Sequence, residues 1–221
     1  MNTLAELWRF DSPVWLPAAA LLLGYSVVFR RASLPRFLLF GLGLGLMVLA
    51  FISPLGALAD GYLFSAHMVQ HLVLLLLVPL SFLLAMPARE TEQLFAGPFA
   101  NRVGKIVAFP VVGCLLGVGA MWFWHVPSLC SASTENAVIG AVRDTSFVVA
   151  GLAFWWTVFS PVARYRLEPL SGITYLFTSC LGCTLLGIYI TFTSVSVCPA
   201  FASPQERIDV VTQLYDAGLT P

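Results

Sequence analysis

Charge is what this sequence has little of. Asp, Glu, Lys and Arg make up 10% of its residues, where a soluble domain carries roughly 25%. With 59% hydrophobic residues and a mean hydropathy of +0.89, it lacks the polar surface a water-soluble chain of this size needs. Acidic and basic residues balance to zero net charge, which says nothing about partners, and no basic stripe points to nucleic acid, so no nucleic-acid partner is expected. The sequence has no G-x-S-x-G, no H-E-x-x-H and no P-loop, so nothing points to nucleophilic, metalloprotease or phosphate chemistry, and no catalysed covalent reaction is expected. No C-x-x-C-H motif attaches a haem. Fixed-period repeats, low-complexity tracts and long linkers are also missing, so residues 1–221 read as a single integral membrane domain. A cleavable leader is not expected, because Glu6 and Asp11 precede the first apolar run while Arg30 and Arg31 follow it, the reverse of a signal peptide's charge order.

What the sequence does have is long apolar runs. Cutting it at its charges leaves six uncharged segments, 12–29, 37–59, 61–88, 106–134, 145–163 and 169–205. A helix needs about 20 apolar residues to cross about 30 Å of hydrocarbon. The segments lack sustained alternation and are rich in Leu and Ala, which favours helices over barrel strands. The expected fold is therefore all-α, a polytopic transmembrane bundle with six predicted spans at about 13–29, 37–58, 62–86, 106–125, 145–162 and 170–193, and an outer tail at 194–221. Eight of the eleven basic residues fall in alternate loops: Arg30, Arg31 and Arg36; Arg89, Arg102 and Lys105; Arg164 and Arg166. Arg9, Arg143 and Arg207 occupy the other side. The positive-inside rule makes the eight-residue side cytoplasmic and puts both termini outside.

Only three histidines occur, and this topology brings them to one depth. At about 1.5 Å per residue, His67 lies about 8 Å and His71 about 14 Å below the outer end of span three. His125 sits at the outer end of span four. Four-residue spacing puts His67 with His71, and Met121 with His125, on shared helix faces, with Met68 next door. Intramembrane ionisable residues are costly and mark function by default. Imidazole with thioether suits copper, and thioether favours Cu(I). The expected metal ligands are His67, His71, His125, Met121 and Met68. Two other readings stay open: hydrogen bonds that hold helices together through Ser65, Gln70 or carbonyls, and axial ligation of a haem.

Cys114, Cys180 and Cys183 fall in mid-membrane, where close packing is preferred over a relay for Cu(I). For Cys130 and Cys198, in outer connections, a disulfide, two free thiols and a copper-receiving pair are all open. Trp8, Trp15, Trp122 and Trp124 read as an outer aromatic belt, and Trp155 and Trp156 as an inner one. Asp144 reads as a solvated or interfacial charge opening span five, unable to face Arg143 at i, i+1, or else as a partner to a histidine. Ile208, Val211 and Leu214 suggest a short amphipathic helix in the tail.

Three motifs in order, Phe64-Ser-Ala-His67-Met-Val-Gln-His71, Trp124-His-Val-Pro127 and Gly151-Leu-Ala-Phe-Trp-Trp156, resemble the multi-span CtaG-type cytochrome c oxidase assembly proteins. The resemblance runs from about span two to the C-terminus. A single-span copper chaperone that has shared the name is not similar to this sequence. The resemblance implies a multi-pass protein of the bacterial plasma (inner) membrane that supports copper-centre maturation of a haem-copper oxidase. It maps the H-M-x-Q-H motif to His67, Met68, Gln70 and His71, and W-H-x-P to Trp124, His125 and Pro127. Implied partners are the lipid bilayer, an oxidase subunit or a periplasmic copper chaperone, and a homo-oligomer is left open. A copper permease loading a path past Cys114, Cys180 and Cys183 is the alternative, followed by a haem-binding electron-transfer subunit. Members often carry a histidine where Asp144 stands, and usually continue past Gly218-Leu-Thr-Pro221 into a D-Q-type motif and a seventh span.

Overall fold

A computed structural model describes residues 7–60, 62–193, 197, 198 and 201. The expected helix at 205–215 lies outside the described residues. Among the described residues there is no strand; the chain runs through α1 (Trp15–Val28), α2 (Leu34–Ile52), α3 (Pro54–Ala59), α4 (Phe64–Ala85), α5 (Ala88–Leu94), α6 (Pro98–Val107), α7 (Pro110–Trp124), α8 (Pro127–Glu135), α9 (Ala137–Phe159) and α10 (Pro169–Phe192). Proline opens most of these helices. Pro35, Pro54, Pro98, Pro110, Pro127 and Pro169 all sit in a first turn, where the missing N–H costs nothing and the fixed φ suits the helix.

Four helices, α2, α4, α9 and α10, are long and apolar enough to cross a membrane, and a fifth span results if the bent pair α6 and α7 counts as one. The chain is a membrane protein. The pair bends by 68° at Ala108 and Phe109, where Pro110 starts the new helix. At 14 residues α1 is about 21 Å long, short of the hydrocarbon thickness.

Two helix boundaries differ most from the expected spans. The second run does not continue to residue 58: α2 stops at Ile52, Ser53 turns extended, and Pro54 restarts the chain as α3. Gly56 makes that corner, since a Cβ there would overlap the Phe51 carbonyl. The fifth run starts well before residue 145, because the Asn136 side chain accepts from the amides of Val138 and Ile139 and caps a 23-residue helix. Arg143 and Asp144 thus lie inside α9 rather than at its mouth.

The core is the seam of α2, α4 and α9, filled by Phe40, Met47, Leu74, Val78, Phe82 and Phe147. α4 is not regular: residues Val73–Leu77 form a π-turn, and Pro79 removes a donor one turn on. The backbone groups loosened there are met by α9. Trp155 Nε1 donates to the Leu76 carbonyl at 2.9 Å, and the α9 backbone comes so close at Gly151 that a Cβ would overlap the Leu75 carbonyl. Gly151→Ala is expected to cost about 1–3 kcal/mol by overpacking, read as a lower thermal midpoint in detergent. Gly45→Ala, which meets nothing within 4 Å, should leave it unchanged.

Candidate functional site

His67 and His71 lie on the first two turns of α4, and His125 caps the end of α7. All three are essentially inaccessible, at 1%, 1% and 2%. The spacing of four brings the His67 and His71 rings to 4.0 Å between centroids, and the α7 end brings His125 to 5.5 Å from His71.

Two of the imidazoles are oriented by carbonyls. His67 Nδ1 lies 3.2 Å from the Ala59 oxygen and His125 Nδ1 lies 2.6 Å from the Met121 oxygen. A carbonyl oxygen only accepts, so each Nδ1 carries the proton and each Nε2 keeps its lone pair. His125 Nε2 faces Met68 Sδ at 3.1 Å. His67 Nε2 and both nitrogens of His71 are buried with no partner. Among the described residues no group of three or more His, Cys, Asp or Glu side chains is arranged to hold a metal ion, and the rings pack against one another.

Phenylalanines enclose the cluster. Phe147 lies 4.4 Å from His71, Phe201 lies 5.0 Å from His67, and Phe64 meets both His67 and His125. Phe201 is held by a disulfide between Cys130 and Cys198, with Cα atoms 5.4 Å apart, and its amide donates to the Cys198 carbonyl. Of the three readings open for these cysteines, the cross-link is the one present.

Arg143 stands beside the cluster, close enough for its charge to act on each histidine. Contrary to expectation, it pairs with its own neighbour: Arg143 Nε donates to Asp144 Oδ1 at 2.9 Å, with side chains only 9% and 17% exposed. Arg side chains are long enough to fold back along the helix, which an argument from Cβ directions alone omits. Arg143 also donates to Ser133 Oγ, and its carbonyl accepts from Ser146, which in turn accepts from Trp124 Nε1. Asp144 is therefore neither solvated nor bonded to a histidine.

Other residues singled out by sequence sit elsewhere. The Met121 side chain is buried in the core, and among the contacts described only its carbonyl reaches His125; Met68 supplies the thioether facing the cluster. Gln70 donates to the Ala50 carbonyl and ties α4 to α2 instead of serving a histidine. Cys180 and Cys183 are exposed on α10, so they neither pack in the bundle nor line a route through it; Cys114 accepts from Ser179. Trp124, Trp155 and Trp156 donate to groups inside the bundle rather than standing in a belt. Sequence reasoning missed Arg143, Phe147 and Phe201 as neighbours of the histidines. Arg143, a charge seven residues into a capped apolar helix, was the one signal available.

Together these features define a helical membrane protein with a buried imidazole cluster at one end of its bundle, opposite the basic loops. The model of the cytochrome c oxidase caa3 assembly factors (Caa3_CtaG) matches residues 19–219, and the chain belongs to that family. Neither curated proteins nor solved structures gave a match.

Proposed function

We propose that this assembly factor binds copper as cargo through His67, His71 and His125 with Met68, Met121 contributing less, and supports its insertion into an oxidase subunit without catalysing a covalent reaction. The observation that carries the proposal is the set of open nitrogens. Buried polar atoms are nearly always partnered, and each orphan costs about 1–3 kcal/mol. His67 Nε2 and both His71 nitrogens are left without one, beside a thioether. A soft cation satisfies such groups, and the carbonyl bonds at Nδ1 of His67 and His125 are what orients imidazole ligands at metal sites. Because the rings now pack on one another, loading entails their rotation. Cu(I) is the form the thioether favours.

Six crossings, counting α1 and the bent pair, with both termini outside, complete the proposal. Flanking residues and local thinning accommodate the short α1. This places the histidines at the periplasmic side of a bacterial inner membrane, where a disulfide such as Cys130–Cys198 persists. An oxidase subunit or a periplasmic copper chaperone is the exchange partner. In a strain lacking the protein, at limiting copper, total cellular copper is expected to stay near normal while the oxidase polypeptides are made but copper-poor. Fully metallated oxidase in that strain would sink the assembly role.

A further inference from the structure

One feature not used by the histidine site is a cavity of about 470 Å³ at the opposite end of the bundle, walled by Gly24 and Val28 of α1, Leu94 of α5, Val107 of α6, Leu152 of α9 and others. That size is in the range of small-molecule sites. Its polar lining groups are already committed: Tyr25 donates to the Ala85 carbonyl, Thr91 to the Pro87 carbonyl and Trp156 to the Gly104 carbonyl. Nothing in the wall is left to recognise a polar ligand or hold water, so the slot suits hydrocarbon.

The chain flanking the wall residues has the opposite character. Val28 and Phe29 of the wall run into Arg30 and Arg31, Leu94 belongs to the helix that carries Arg89, and Val107 to the one that carries Arg102 and Lys105. Arg36 is close enough to act electrostatically on Tyr25. The described ion pairs are Arg9–Asp60, Arg143–Asp144 and Arg164–Glu92. None of these six cations therefore has a carboxylate partner among the described residues. The carboxylates at this end are Glu90, Glu92 and Glu168, and Glu92 is taken by Arg164.

A hydrocarbon slot beneath unpaired cations fits one chemistry, an anionic headgroup joined to an acyl chain. We propose that the cavity between α1 and α5, α6 and α9 binds one anionic phospholipid, its chain filling the slot and its phosphate held by Arg30, Arg31 and Arg36. The lipid completes the contact between α1 and the rest of the bundle at this end.

The test is a binding titration of delipidated full-length protein in neutral detergent, followed by native mass spectrometry. Phosphatidylglycerol is expected to bind at least about tenfold more tightly than phosphatidylcholine with the same chains. Gly24→Leu places a side chain in the slot at a position where an added Cβ meets nothing within 4 Å, so helical content should be unchanged while both lipids weaken by about tenfold. Arg30→Gln with Arg31→Gln and Arg36→Gln should abolish the preference and leave phosphatidylcholine unaffected. Glycerol 3-phosphate alone should not compete. Equal affinity of the parent protein for the two lipids, undiminished binding in folded Gly24→Leu, competition by glycerol 3-phosphate, or displacement by a short-chain quinone would each overturn the assignment.

Discussion

Replacing His71 by leucine is expected to have two opposite effects: copper is lost from the purified protein, and the copper-free protein becomes more stable. Both ring nitrogens of His71 are buried without partners, next to Phe147 at 4.4 Å. Leucine removes two unsatisfied groups, each worth about 1–3 kcal/mol, at a modest packing cost. A gain of about 1–3 kcal/mol in the apo protein is the expected net effect, read as a higher thermal midpoint with a chelator present. A histidine that served only to hold helices together would give the opposite sign. Copper retention is expected to fall by more than the 10–100-fold typical of residues behind the ligands. His67→Ala with His71→Ala should abolish it, and Met68→Leu should weaken it more than Met121→Leu, because only the Met68 sulfur is seen facing His125. In cells, the double histidine variant at normal abundance should give the same copper-poor oxidase as is expected of a strain lacking the protein. Unchanged copper in a folded protein lacking all three histidines would place the site elsewhere.

Asp144→Asn is expected to be the most damaging single change for stability, at about 3–5 kcal/mol. The substitution keeps the side chain's size but leaves the Arg143 guanidinium buried without a counter-charge. Both side chains are well under a third exposed, so solvent screens the pair little. Arg143 also links α8 to α9 through Ser133, and its carbonyl anchors the Ser146 and Trp124 bonds to α7. Loss of the counter-charge therefore loosens the α8–α9 contact at the histidine end, while the backbone carbonyl and the bonds built on it stay in place. Replacing both partners, Arg143→Met with Asp144→Leu, should recover most of the loss, since an apolar pair of similar volume carries no desolvation penalty. Thermal unfolding in detergent measures all three forms. A loss below about 1 kcal/mol in Asp144→Asn would mean that water reaches the pair.

By itself the sequence determined the properties that depend on local geometry and on solvent. Sparse charge and long apolar runs dictate membrane helices, since only internally bonded backbone survives in hydrocarbon. The 3.6-residue period places His67 and His71 on one face whatever surrounds them, and prolines mark where helices begin. The family was legible for the same reason, in short motifs that stay contiguous in the chain. What the tertiary structure decided depends on how each helix is rotated and bent against its neighbours. The π-turn and Pro79 shift the register of α4 past His71, and the 68° bend sets the direction of α7, so whether Met68 or Met121 faces His125 could not be read from spacing. Cys180 and Cys183 share a face as their spacing requires, yet that face points outward. The pairing of Cys130 with Cys198 brings Phe201 onto His67 from more than a hundred residues away, and Arg143 folds back onto Asp144 only because α9 begins early enough to bury both. Periodicity assigns residues to a face of a helix; which neighbour that face meets is set by packing over long sequence separations.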